Sequence, residues 1–255
     1  MSNIWAIYRR EVKSYFTSPI AYVVIAVFAF LYGFFFRDYL YRFIMYGFQA
    51  AQYGGGPALN VNQHLIRGLF LSSTVLFLFM VPLITMRSIA EEKRSGTFEL
   101  LLTSPIPDSQ IVLGKFGAAL TLYAVMLGST LIHMGILFYF GNPEWKPLVA
   151  SYLGMLLLGG SFISFGLVFS SLTRNQIIAA FLSFIAFLFL WLIEYMGDWV
   201  GPGMSEFVKY LSINQHLDGF CKGVIDTKDV VFYLSFIGFG LFLATESVES
   251  HRWRG

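Results

Sequence analysis

Charge is what this sequence has least of: 13% of its 255 residues are Asp, Glu, Lys or Arg. An ordinary soluble domain carries roughly a quarter. With 56% hydrophobic residues, 28 Phe and 14 Tyr, part of the surface has to face lipid. A net charge of +2 provides no concentrated Lys and Arg face for phosphates, which argues against nucleic acid as a partner. Cysteine is limited to Cys221. Neither an intrachain disulfide nor a Cys-cluster metal site is available to one thiol, and an inert side chain is the simple reading. Signatures of catalysis are missing as well: there is no His-Glu-x-x-His, no Gly-x-Ser-x-Gly and no Walker lysine. Gly197-Asp198 matches half of an intramembrane aspartyl protease signature, but no second aspartate lies within a span to share its proton. No catalytic group, no metal ligand set and no cofactor bound by this chain is expected.

What the chain has in quantity is long uncharged runs. A helix crossing about 30 Å of hydrocarbon takes about 20 mostly apolar residues. The intervals that qualify run from Pro19 to Phe36, Gly68 to Met86, Phe116 to about Phe140, Leu148 to Thr173, Asn175 to Ile193 and Val230 to Thr245. The last is short and has to borrow flanking positions. These runs are apolar on all sides, without the strict alternation of barrel strands. The expectation is an all-α membrane protein with six transmembrane helices over residues 19–247. Placing the N-terminus inside leaves ten of the 17 Lys and Arg residues in the inner segments. By the positive-inside rule both termini are then cytoplasmic, in a multi-pass protein of the inner (plasma) membrane. The first run ends at Phe34-Phe35-Phe36, without small residues suited to cleavage, so it should remain as an anchor.

Outside the spans, residues 1–18 place Ile4, Trp5, Tyr8, Val12, Tyr15 and Phe16 on one side of a helix and Arg9, Arg10 and Lys13 opposite. Such a helix suits the cytoplasmic interface, its cations toward lipid phosphates, and Glu11 at the border of its apolar side is placed to meet a partner. Residues 87–110 join spans two and three. Gly96 should end a charged extension of span two containing Arg87, Glu91, Glu92, Lys93 and Arg94. Thr97 should cap a short apolar helix with Phe98, Glu99 and three leucines. A lever for a cytoplasmic partner and a structural loop both fit this composition. Residues 37–66 carry Tyr39, Tyr41, Phe43, Tyr46, Phe48 and Tyr53 for an interfacial belt, with Gly54-Gly55-Gly56-Pro57 as a turn. Residues 197–229 mix aromatic, glycine and charged residues as short interfacial or re-entrant helices would. Within the spans, His133 reads as a neutral imidazole bonded to a neighbouring helix or as a pathway group. Glu194 sits at the outer end of span five, within reach of water. In span four, Gly154, Gly159, Gly160, Ser161, Ser164, Gly166, Ser170 and Ser171 form a small-residue face for close helix packing.

The run from Pro82 to Lys115, Pro-Leu-Ile-Thr-Met-Arg-Ser-Ile-Ala-Glu-Glu-Lys-Arg-Ser-Gly-Thr-Phe-Glu-Leu-Leu-Leu-Thr-Ser-Pro and onward to Ile-Val-Leu-Gly-Lys, resembles the coupling region of ABC-2-type permeases, and more narrowly the gliding-motility-associated, GldF-like branch. Arg-Glu-Val-Lys-Ser-Tyr-Phe-Thr-Ser-Pro-Ile-Ala-Tyr near the start, Ser-Ser-Leu-Thr-Arg-Asn-Gln at 170–176 and the terminal His-Arg-Trp-Arg-Gly match too. The aromatic first outer loop with its three glycines departs from the branch. The resemblance implies a type V ABC exporter-like permease half without its own ATPase. It would pair with a second permease half and with separate ATP-binding subunits that hold ATP and Mg. In this branch an auxiliary membrane protein with a large outer domain joins them. It also implies that Arg87, Glu91, Glu92, Lys93, Arg94, Gly96, Thr97, Phe98 and Glu99 form the ATPase-coupling interface, that residues 197–229 form an outer re-entrant hairpin, and that 248–255 is a cytoplasmic tail. The alternative is a force-transmitting or assembly subunit that drives an outer partner without moving a substrate. A stand-alone channel would need a charged ring or filter, and none is evident.

Overall fold

The computed structural model describes residues 3–52, 60–102, 105–196 and 201–252. The described residues form helices joined by short turns, and six helical stretches among them are long and apolar enough to cross a membrane. Helix α1 (Asn3–Thr17) is amphipathic and leads into α2 (Pro19–Gln52). Proline at the first turn of α2 costs nothing there, because that N–H has no intrahelical acceptor. A π-helical turn at Asn62–Ile66 feeds α3 (Arg67–Thr85), followed by the short helices α4 (Ala90–Ser95) and α5 (Thr97–Leu102). Then come α6 (Asp108–Gly128), α7 (Leu131–Phe140), α8 (Trp145–Leu172) and α9 (Gln176–Met196). Two nine-residue helices, α10 (Pro202–Tyr210) and α11 (Ile213–Cys221), precede α12 (Thr227–Arg252).

Several boundaries differ from the sequence expectation, each for a local reason. Span one does not end where charge begins: α2 continues through Arg37 and Asp38 to Gln52, and Asp38 pairs with Arg42 one turn on at 2.9 Å. The expected aromatic loop is therefore largely helix, while the Gly54-Gly55-Gly56-Pro57 turn, Gly197-Asp198 and the terminal Trp-Arg-Gly lie outside the described residues. Span three breaks at Ser129 and Thr130. Their hydroxyls each donate to a carbonyl three residues back, Met126 and Leu127, at 2.6 Å. Such back-bonding competes with the helical ladder. The short sixth interval is the middle of a 26-residue helix that runs on through Glu246 and Glu249.

Helices α3, α6 and α8 form the buried centre, with α2, α9 and α12 around them. The expected small-residue face of α8 is used for packing. A side chain at Gly154 would meet Phe220 at 2.8 Å, and one at Gly159 would overlap the Tyr123 ring. Tyr123 then donates its hydroxyl to the Met155 carbonyl at 2.8 Å. Helices α8 and α12 make the most extensive pair in the molecule. At one end of it, Tyr233 donates to the Ile213 carbonyl at 2.8 Å and His216 meets Asp229 at 2.7 Å, which holds α11 down. Arg67 adds a bond to Asp218 at 2.6 Å. Asn62 clasps the turn before α8 through two 2.9 Å bonds with the Glu144 backbone.

Candidate functional site

At the opposite end of the bundle from α11, the chain leaving α3 makes two short helices separated by one residue. Gly96 between them has φ 74, a left-handed conformation that glycine adopts without a Cβ clash. The start of α4 has no side-chain cap of its own. Instead Ser170 of α8 accepts from the Ile89 and Ala90 amides at 3.1 Å each and donates to the Met86 carbonyl at 3.2 Å. One hydroxyl thus uses both lone pairs and its proton to satisfy a helix end that would otherwise be orphaned.

The nine residues expected to act together here divide by direction. Lys93 and Phe98 point inward. The Lys93 ammonium donates to the Ser171 carbonyl and, at 2.9 Å, to Nε2 of His251, and it lies 5.1 Å from the centroid of the Phe98 ring. Nδ1 of His251 donates to the Ser247 carbonyl at 2.8 Å, which leaves Nε2 as the acceptor the lysine requires. Phe98 completes a small satellite core with Ile89, Val112, Leu167, Ala244 and Val248. Arg87 and Glu91 pair along the flank at 3.0 Å, both partly exposed. Arg94, Gly96, Thr97 and Glu99 face outward, around a 2.9 Å hydroxyl contact between Ser95 and Thr97.

Glu92 belongs to a buried ionic cluster whose centre the sequence reading passed over. Lys115 of α6 is 1% exposed. Its three N–H donors reach Glu11 at 3.1 Å, Glu92 at 2.9 Å and the Ser88 carbonyl at 2.6 Å. Arg10 closes the cluster from outside, 2.8 Å from both carboxylates. Burial by itself would raise the Glu11 carboxyl, but the Lys115 ammonium and the Arg10 guanidinium outweigh it and hold it below the usual carboxylate range. The cluster joins α1, α4 and α6. Helix α1 accordingly packs on protein: Ile7 lies against Gly114, where an added Cβ would be 2.7 Å away, and Tyr8 meets the Thr121 hydroxyl at 3.0 Å. Glu11 at the border of the apolar face was the available signal; Lys115 read as an ordinary flanking charge.

The two polar candidates inside the spans are not brought into one site. His133 lies against the rings of Tyr32 and Phe36 of α2 at 5.3 and 5.1 Å, and its buried Nδ1 has no partner, so ring packing replaces the expected interhelix hydrogen bond. Glu194 is partly buried near the end of α9. Among the described residues no three His, Cys, Asp or Glu side chains gather as a metal site.

Residues 5–235 match the family model described as ABC-2 family transporter protein. The chain is also 29% identical over 145 residues to a protein named "Probable multidrug ABC transporter permease YbhR" in Escherichia coli strain K12 and, equally, in Escherichia coli O157:H7. That alignment takes in 52% of this chain and 39% of the relative's length.

Proposed function

Because this chain belongs to the ABC-2 family of transporter permeases, we propose that it is the membrane-spanning half of an ABC exporter, moved by ATP hydrolysis in a separate subunit. The proposed docking surface is the outward tip formed by Arg94, Gly96, Thr97 and Glu99. Glu92, Lys93 and Phe98 fasten the reverse side of the segment to the bundle, with the Arg87–Glu91 pair along its flank. The observation that carries this reading is the combination of an exposed charged tip with a root tied to three spans: Ser170 and Ser171 of α8, His251 of α12 and Lys115 of α6 all hold the same short stretch. A force applied at the tip then has a defined path into three spans, whereas docking on a loose loop would shift no equilibrium.

In this reading α1 and both termini are cytoplasmic and the membrane is the inner (plasma) membrane. A second permease half completes the pathway, and the ATP-binding subunit holds ATP and Mg. Assignment to the GldF-like branch adds an auxiliary membrane protein with a large outer domain, and α10 and α11 become the outer re-entrant hairpin. The relative's printed name, a probable multidrug permease, makes drugs a substrate class to screen. A second reading, force transmission to an outer partner without transport, is favoured by one observation: the α8–α12 pair carries the docking segment at one end and α11 at the other.

Reversing both exposed charges of the tip, Arg94→Glu with Glu99→Lys, tests the docking surface. The variant is expected to express and fold as the parent does and to lose the co-purifying ATPase. Retention of an ATPase complex with unchanged hydrolysis overturns the assignment.

A further inference from the structure

Where α1 turns into α2, the structure encloses a recess of about 200 Å³ against the end of α3. Its position is defined by the chain: Pro19 opens one membrane-spanning helix and Thr85 closes another, so the recess lies at the height of lipid headgroups. One wall is polar, with Glu11, Arg87 and Glu91 and the hydroxyls of Ser14 and Ser18. The other is aliphatic, formed by Ile20, Val24, Leu83 and Ile84. Ile20 and Leu83 are exposed on the outer surfaces of their helices, so the aliphatic wall continues into the lipid-facing surface. Polar cup, apolar exit and membrane height together describe a place for the head of an amphiphile with its chains lying in the bilayer.

The charges around the cup select which head. In the lining Arg87 pairs with Glu91, and behind it Lys115 and Arg10 pair with Glu11 and Glu92, so the recess and the ionic cluster that backs it are neutral together. An anionic or a cationic head would bring an uncompensated charge into this partly desolvated place, and a zwitterion would not. The Arg87–Glu91 pair is partly exposed and of the surface kind that separates at little cost, which frees a guanidinium for a phosphate and a carboxylate for a cation. The acceptors present, two carboxylates and the hydroxyls of Ser14 and Ser18, with those of Ser88 and Tyr15 bonded to each other, call for N–H donors on that cation. A primary ammonium supplies three and a trimethylammonium none. The volume equals six or seven waters at ~30 Å³ each, on the scale of a phosphate joined to a two-carbon amine.

We propose that this recess binds the headgroup of a zwitterionic aminophospholipid of the phosphatidylethanolamine type, phosphate on Arg87 and ammonium on Glu91 and Glu11, with the acyl chains over Ile20 and Leu83. The site is separate from the tip of the α4–α5 turn and does not depend on how that tip is used.

Native mass spectrometry of the full-length protein, offered phosphatidylethanolamine, phosphatidylcholine and phosphatidylglycerol with the same acyl chains, tests it. Retention of phosphatidylethanolamine is expected to exceed that of the other two by roughly tenfold, the equivalent of one charge-assisted hydrogen bond. Arg87→Ala and Glu91→Gln should each bring it down to the level of phosphatidylcholine. Ser14→Trp, which fills the mouth from an exposed position without changing charge, should do the same. Equal retention of the three lipids, preference for phosphatidylglycerol, or a phosphatidylethanolamine preference that survives all three substitutions overturns the proposal.

Discussion

Lys115 carries three donors into the interior, and each ends on an oxygen within 3.1 Å. A buried ammonium so placed is held by its partners, and the partners in turn depend on it. Removing one member of a buried ionic group costs about 3–5 kcal/mol, because the charges left behind stay desolvated. Lys115→Met is therefore expected to destabilise the protein on that scale, read as a lower thermal midpoint in detergent. Adding Glu11→Gln to it should recover part of the loss, since one stranded carboxylate is then gone. Recovery in the double variant separates an ionic role from mere loss of packing. In the sequence only Glu11, at the border of an apolar helix face, pointed to a partner. Lys115 stands at the edge of an apolar run where charged residues ordinarily reach water, and its partners come from two other helices.

Among the elements, α4 is the one whose existence depends most on a neighbour. Six residues are too few for a helix to persist alone, and its first amides are satisfied by a hydroxyl from α8. Ser170→Ala leaves two buried N–H groups without an acceptor. Loss of a cap costs about 1 kcal/mol and an unsatisfied buried group about 1–3 kcal/mol. Faster amide hydrogen exchange at Ile89 and Ala90, with α8 itself still protected, is the expected result. Ser170→Thr, which keeps the hydroxyl, should preserve slow exchange. The sequence did identify the glycine turn at 96 and the two flanking helices, because glycine and threonine are local signals. That Ser170 served this turn as well as the small-residue face was not legible, since serine suits both uses.

For the molecule as a whole, hydropathy located all six spans, since no local choice outweighs about 20 consecutive apolar residues. It failed at their ends. The onset of charge does not end a helix: Arg37, Asp38, Glu246 and Glu249 continue α2 and α12 beyond the hydrocarbon, where water or an i,i+4 partner accepts them. The attachment of α1 to the body gives a prediction at this scale. Glu11 has its carboxyl lowered in the folded protein, so the unfolded chain binds more protons and stability rises with pH. The contribution is complete above the ordinary carboxylate value and disappears as pH falls through the lowered one. Trp5 stacks on Tyr8, whose hydroxyl meets Thr121 of α6, so its fluorescence should report release of the helix on acidification below the usual glutamate range. In a Glu11→Gln variant that part of the pH dependence should be gone.

Helix α2 sets a waterline. From Pro19 to Phe36 it measures about 27 Å at 1.5 Å per residue, close to the thickness of hydrocarbon it has to match. The remaining turns to Gln52 add about 24 Å that no bilayer can submerge. A thinner membrane makes this rod lean and a thicker one draws it upright. Whatever rides on its far end is carried clear of the lipid, as on a mast stepped in the hull.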